Sequence, residues 1–331
     1  MNLLKLIIVA LSAILLLLGN ALYSEISTAQ QENNRRTFAD WCHQKADLSS
    51  ETKHTVEMLL KEAGTTECDA ANQKLSSFTE LILNHNQISD IKPLASLTNL
   101  TQLSLGNNQI SDLKPLQSLT KIHTVDLNNN QISDIKPLQS LTKVQNLNLK
   151  SNQISDIKPL QSLTYLYRFD LRNNQVRDLK PLQSLTSLNW LDLTNNQISD
   201  LKPLESLINL SSLFLENNQI SDIKPLKSLI GLIALSLDDN FIEDIKPLQS
   251  LTNLYLLDLR NNQISDIKPL ESLSKLTGVY LSGNLINPKT CPLKPDSICM
   301  WEGGDEEVNK PLRSKIIFPT KELLAQNMPL S

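Results

Sequence analysis

Histidine is scarce in this chain, and none follows His123. A nucleophile that needs an imidazole base has no such partner downstream of that position. The other three, His43, His54 and His85, are scattered, and no Cys-x-x-Cys pair occurs, so zinc-ligand spacing is missing. Glycine is thin as well, at 8 of 331 residues. There is no glycine-rich phosphate loop and no Gly-x-Ser-x-Gly elbow, which removes the usual signatures of nucleotide binding and acyl transfer. The formal net charge is −4, so no basic excess points to nucleic acid. Long apolar runs are lacking too. Leu6 to Leu18, broken only by Ser12, is too short for the ~20 residues that a bilayer demands. Together these absences argue against an enzyme, a metal centre or a bound cofactor.

What the first residues do have is the form of an export signal: Lys5, the apolar run, then Ser27-Thr28-Ala29 before Gln30. Residues 1–29 are expected to be removed, leaving a chain with no stable membrane span in the periplasm, the cell envelope or the medium. Four cysteines fit an oxidising destination.

The body of the chain is periodic. Asn86, Asn108, Asn130, Asn152, Asn174, Asn196, Asn218, Asn240, Asn262 and Asn284 follow one another at a fixed interval. Such regularity means one small unit stacked many times. Seven apolar columns accompany the asparagine, in the second unit Leu97, Leu100, Leu103, Leu105, Ile110, Leu113 and Leu116. The step of two from Leu103 to Leu105 is strand periodicity. The steps of three suit 3₁₀ or extended turns, and a proline in the return leg, Pro115 and its equivalents through Pro269, argues against an α-helix there. Each coil should be a short strand, a turn and a non-helical return, with the strands forming a parallel sheet. The asparagine side chain, both donor and acceptor, should satisfy its own turn and the next coil.

Ten coils at the ~4.8 Å strand spacing separate the ends by ~43 Å, whereas a disulfide needs Cα atoms within ~7 Å. The pairings expected are therefore Cys42–Cys68 before the stack and Cys291–Cys299 after it. Stack ends also need covers. Glu51 to Ala63 reads as an amphipathic helix with Ser50 as N-cap and Gly64 beyond its end. Its face of Val56, Leu59, Leu60 and Ala63 should cover the first coil. The expected organisation is a signal over 1–29, a helical cap over 30–74, repeats over 75–293, and a cap with a loosely ordered tail over 294–331. A column of aspartates, Asp90 to Asp266, stands two residues before a column of lysines, Lys92 to Lys268. It raises the question of calcium, but the glycine-rich pattern of calcium-binding β-helices is missing. Turn capping is the reading taken.

Leu100-x-x-Leu103-x-Leu105-x-x-Asn108-x-Ile110 resembles a leucine-rich repeat, and the unit with Asn-Gln-Ile-Ser-Asp-Ile-Lys-Pro-Leu resembles the internalin-type bacterial class. The closing segment from Asn287 to Cys299 is similar to that of exported cyanobacterial leucine-rich repeat proteins. The resemblance implies an α/β repeat solenoid, curved and right-handed, with the parallel sheet on a concave face that binds proteins.

Three outward columns flank the inward leucines, in the second coil Gln102, Ser104 and Gly106. Early coils carry small polar residues there. From the fifth coil come Tyr167, Arg168, Asp170, Arg172, Trp190, Asp192, Phe214, Tyr255, Asp258, Arg260 and Tyr280. Aromatics are only 4% of the chain, and Tyr, Trp and Arg dominate binding hot spots, so these residues are the candidate partner site. The function expected is an exported recognition module that holds a protein or peptide; a glycan would also fit the aromatics. Two other classes compete: a structural envelope protein with no specific ligand, and an intracellular enzyme regulator like the phosphatase-binding repeats.

Overall fold

The computed structural model describes residues 36–302. The expected export signal and the tail after Glu302 lie outside the described residues.

Each coil contributes one three-residue strand, from β1 at Glu80–Ile82 to β10 at Gly278–Tyr280, and β11 at Cys299–Met300 closes the row. The strands form one parallel sheet in chain order. Partners lie one repeat apart, so Leu103 faces Val125 and Leu213 faces Leu235. The return leg of each of the first nine coils is a five-residue 3₁₀ turn, the first at Lys92–Ser96 and the last at Lys268–Ser272. Proline sits in its first positions, where a missing N–H costs nothing. The aspartate column caps these turns: Asp90 Oδ1 accepts from the Lys92 amide at 3.0 Å, and Asp266 Oδ1 from the Lys268 amide at 2.9 Å.

One apolar core runs the length of the stack, from Leu81 through Leu281. The seven columns read from the second coil are all buried. Burial of each such side chain stabilises the stack by roughly 2 kcal/mol, so the periodic residues are accounted for by the fold itself.

The repeated asparagine is bonded as a ladder, with one difference from the sequence reading. Asn196 Nδ2 donates to the Leu193 carbonyl of its own turn and the Leu171 carbonyl of the preceding coil, both at 3.0 Å. Its Oδ1 accepts from the Val176 amide at 3.0 Å. The side chain thus binds the coil before it, because the carbonyls that the strand exit leaves unpaired lie on that side. The residue just before the ladder is left-handed, as at Asn195 (φ 55°) and Asn217 (φ 51°). That conformation favours Asn, Asp and Gly, and explains the Asn-Asn pairs.

Among the described residues, three α-helices precede the stack: α1 at Phe38–His43, α2 at Ser50–Ala63 and α3 at Cys68–Ser76. The N-cap of α2 is Ser49 rather than Ser50; its Oγ accepts from the Thr52 amide at 3.3 Å. Gly64 closes the helix with φ 65°. Val56, Leu59, Leu60 and Ala63 are buried. His54 Nε2 bonds to the Asn86 carbonyl at 2.6 Å and Thr55 Oγ1 donates to the Asp90 carbonyl at 2.7 Å, tying α2 to the first coil. Cys42–Cys68 and Cys291–Cys299 are both formed, one at each end of the sheet.

Candidate functional site

The outward columns share one face of the sheet but divide into two halves. In the first four strands the face is open. Ile82 is 54% exposed, and Ser104, Asp126 and Asn148 in the same column are half-buried. From the fifth strand onward it is closed: Asp170, Asp192, Phe214, Ser236, Asp258 and Tyr280, again one column, are all buried.

This corrects the sequence reading, which placed Trp190, Phe214, Tyr280, Asp170, Asp192 and Asp258 as contacts open to a partner. Two physical reasons apply. The aromatics converge on one another, with the Trp190 and Phe214 rings 5.6 Å apart. With Ala234 and Tyr280, and with Leu256 and Met300 against them, they make a second apolar cluster separate from the main core. The acids turn to their own strand ends. Asp170, Asp192 and Asp258 each accept, through Oδ1, the amide two residues on, at 3.1–3.2 Å. Asp126 and Asn148 do the same in the open half, both at 3.1 Å. An acid or amide in this column is therefore first a cap for the strand exit.

Two arginines grip these acids. Arg172 Nε donates to Asp170 at 2.9 Å, its Nη2 makes a shorter bond to the same carboxylate, and Asp192 Oδ2 lies 3.4 Å from Nε. Burial works to lower the Arg172 pKa, but the Asp170 hydrogen bond and the charges of Asp170, Asp192 and Glu216 outweigh it and hold the group raised. Arg260 makes a two-pronged contact with Asp258, Nε at 2.9 Å and Nη2 at 2.6 Å, and reaches Asp238 at 3.3 Å. Such charge-assisted forks are among the stronger hydrogen bonds in proteins. The Asp258 hydrogen bond raises Arg260 against the effect of burial. Burial, and then the charge of Asp258, pushes Asp238 up to about 7. Arg168 stands 4.8 Å over the Trp190 ring and Arg260 5.5 Å over that of Tyr280. Burial depresses the Arg168 pKa.

Tyr167 and Tyr255 are exposed, as expected, at 45% and 52%. They lie one residue before the strands, where Ile233 is also exposed. They therefore form a rim to the sheet, apart from the aromatic cluster.

Where the open half meets the closed half, the face steps upward. The step bounds a half-open depression of about 400 Å³. Thr124, Asp126, Asn146 and Asn148 form its floor; Arg168, Arg172 and Trp190 form its wall. The floor residues were passed over in the sequence because small polar side chains lack hot-spot character. Their signal was positional: they occupy the outward columns just before the first large residues. Amides, two carboxylates (Asp126 and Asp170) and two guanidinium groups at one depression suit a polar ligand with a peptide backbone. Among the described residues, no group of three or more His, Cys, Asp or Glu is placed to hold a metal ion. No helix of the described residues is long and apolar enough to cross a membrane.

Comparison with known proteins agrees with the fold. A family profile described as "Leucine Rich repeats (2 copies)" matches residues 79–118, 98–140, 120–162, 142–184, 186–228 and 230–270. The structure is similar to an internalin (InlF) from Listeria monocytogenes at 36% identity, over 70% of this chain and 69% of that one, with a TM-score of 0.67. It is similar to a leucine-rich repeat protein of Leptospira interrogans at 31% identity, over 66% of this chain and 58% of that one, with a TM-score of 0.63. A plant membrane receptor kinase ectodomain from Arabidopsis thaliana, solved in complex with Casparian strip integrity factor 2, matches at 26% identity, over 62% of this chain and 27% of that one, with a TM-score of 0.55. No curated protein matches the sequence.

Proposed function

Given that this chain belongs to the leucine-rich repeat family, in its internalin type, we propose that it is an exported recognition module that holds a protein or peptide on its concave sheet without catalysing a reaction. One observation carries the reading. The interior of every coil is interchangeable, while the outward columns differ coil by coil and enclose a polar depression at their step. Residues that the fold does not dictate are free to serve a ligand.

Several features support the finer points. Two disulfides suit an oxidising compartment and weigh against the intracellular regulator. The receptor ectodomain of the same fold was solved with a factor bound to it, which supports a protein or peptide as the ligand class. A glycan is less well served, since Trp190, Phe214 and Tyr280 do not offer open ring faces.

The test is capture by the exported chain from an envelope extract, titrated to saturation, with Asn146→Arg as the comparison. Asn146 is half-buried on the depression floor, so the added bulk fills the site without entering the core. A saturable partner lost in the variant supports the proposal. Capture that never saturates, or that the variant leaves intact, overturns it in favour of a structural envelope protein.

A further inference from the structure

The turn that leads into each strand presents three outward columns, which stand four, three and one residues before it. In the second coil they are Thr98, Asn99 and Thr101. The stack has its own use for two of these places. Asn99 Nδ2 donates to the Ser76 carbonyl at 2.8 Å, and Asn209 and Asn253 repeat the bond to Thr186 and Ile230, both at 2.9 Å. Thr101 Oγ1 donates to the Thr79 carbonyl at 3.0 Å, as Thr277 Oγ1 does to that of Tyr255 at 3.1 Å. A short polar side chain here ties its coil to the one before.

Coils five to nine depart from that pattern. Tyr165 stands in the asparagine column, Tyr167, Ile233 and Tyr255 in the threonine column, and Ile208 and Ile230 in the first. The first four forgo a bond that the fold offers, and all six are exposed, at 45–65%. Nine large apolar side chains are exposed among the described residues, and these six gather on one edge of the sheet. Strands paired one repeat apart bring the columns into rows. Coil six interrupts them with Thr186, Ser187 and Asn189, all uncharged. With about half of each side chain open, the six present roughly 600 Å², a size at which patches commonly mark a contact site.

Charge selects the partner. The sequence holds 35 acids, yet none stands in these three columns in any coil. The full charges there are Lys121, Lys143 and Lys275, all exposed, and they flank the apolar rows on both sides. Lys121 Nζ and Lys275 Nζ donate to the neutral amide oxygens of Asn99 and Asn253, both at 2.7 Å, so their charge is not offset. Acids on either side are countered. Glu205 and Glu271 share a return-leg column with Lys227, and Arg172 and Arg260 hold Asp170 and Asp258. A second copy is a poor occupant, because edge against edge brings these lysines together with no acid between them. The boundary of an anionic bilayer suits them, since tyrosine lies at headgroup level and lysine is drawn to the phosphates.

We infer that the strand-entry edge of coils five to nine docks on the surface of an anionic lipid bilayer. Tyr165, Tyr167, Ile208, Ile230, Ile233 and Tyr255 enter the headgroup layer, and Lys121, Lys143 and Lys275 meet the lipid phosphates. Buried apolar area and charge attraction together set the strength of such surface contacts. The chain then lies on a membrane without crossing it. The contact uses none of the residues of the concave depression and stands independently of any ligand there.

Co-sedimentation with vesicles tests this. The chain from Gln30, which keeps every described residue, is used so that the apolar run Leu6 to Leu18 cannot itself be the anchor. The vesicles hold equal parts of phosphatidylglycerol and phosphatidylcholine, with pure phosphatidylcholine for comparison. Ile208→Asp/Ile230→Asp and Lys121→Glu/Lys143→Glu alter exposed positions only, so the stack is retained. Partition at least tenfold stronger onto the anionic vesicles, falling at least tenfold in the isoleucine variant and at least threefold in the lysine variant, supports the inference. No partition, equal partition onto both vesicles, or partition that the isoleucine variant leaves intact overturns it. Dimers that the isoleucine variant abolishes, seen without partition, also overturn it and give the edge to a second copy. No partner protein is added, so the result is separate from success or failure of envelope capture.

Discussion

At the residue scale, one side chain can matter through several bonds at once. Asn196 satisfies three carbonyls and one amide where two coils meet. Asn196→Ala leaves buried backbone groups without partners and should cost about 2–3 kcal/mol, read as a fall in the urea midpoint at unchanged slope. Asp238 gives a prediction of opposite sign. Its folded pKa is raised to about 7, from an ordinary 3.8. The stability it contributes is full below the unfolded value and is lost as pH rises through about 7. Asp258, Asp239 and Glu216 add repulsion to the charged form, and Arg260 opposes them. Asp238→Asn should therefore raise the melting temperature at pH 8 by ~3 °C, or about 1 kcal/mol, and flatten its dependence between pH 5.5 and 8. An unchanged pH profile in the variant would show that Asp238 titrates normally. The ladder asparagine was legible because it repeats. Asp238 was not, because its behaviour depends on burial and then on Asp258 and Arg260 one strand away, and nothing periodic marks that environment.

At the scale of the element, each coil could be read from its steps. Two means strand, three means a tight turn, and proline forbids the α-helix. The structure has a strand and a 3₁₀ turn at those places. The start of α2 was misplaced by one residue, since Ser49 and Ser50 are equal N-cap candidates in sequence and only the bond to the Thr52 amide separates them. The cap is also where covalent chemistry supports packing. Cys42–Cys68 closes a loop with a sequence separation of 26 and joins α1 to α3. Cys42→Ser with Cys68→Ser should cost ~3 kcal/mol by chain entropy. The loss should appear first as faster amide exchange in α1 to α3 and the first coil, with the later coils protected, because each repeat rests mainly on its neighbours. Uniform loss along the stack would contradict that ordering.

At the scale of the whole molecule, the concave sheet is divided lengthwise into an open polar half and a closed aromatic half. The outward columns were visible in the sequence, and so was the jump in side-chain size at the fifth coil. What the columns could not disclose was burial. Large residues on a curved face turned inward on each other, and the small ones beside them became the floor of the depression. The hot-spot argument took size for exposure, and of its aromatics only Tyr167 and Tyr255 are exposed. The most direct test sets concave against convex. Retention of the captured partner should be measured for the full chain, for Asn146→Arg with Arg168→Glu, and for Lys158→Glu with Lys180→Glu on the return legs. At least a tenfold loss of affinity in the first variant, with the second unchanged, is the outcome predicted. Loss in the return-leg variant while the concave variant binds normally would contradict the account.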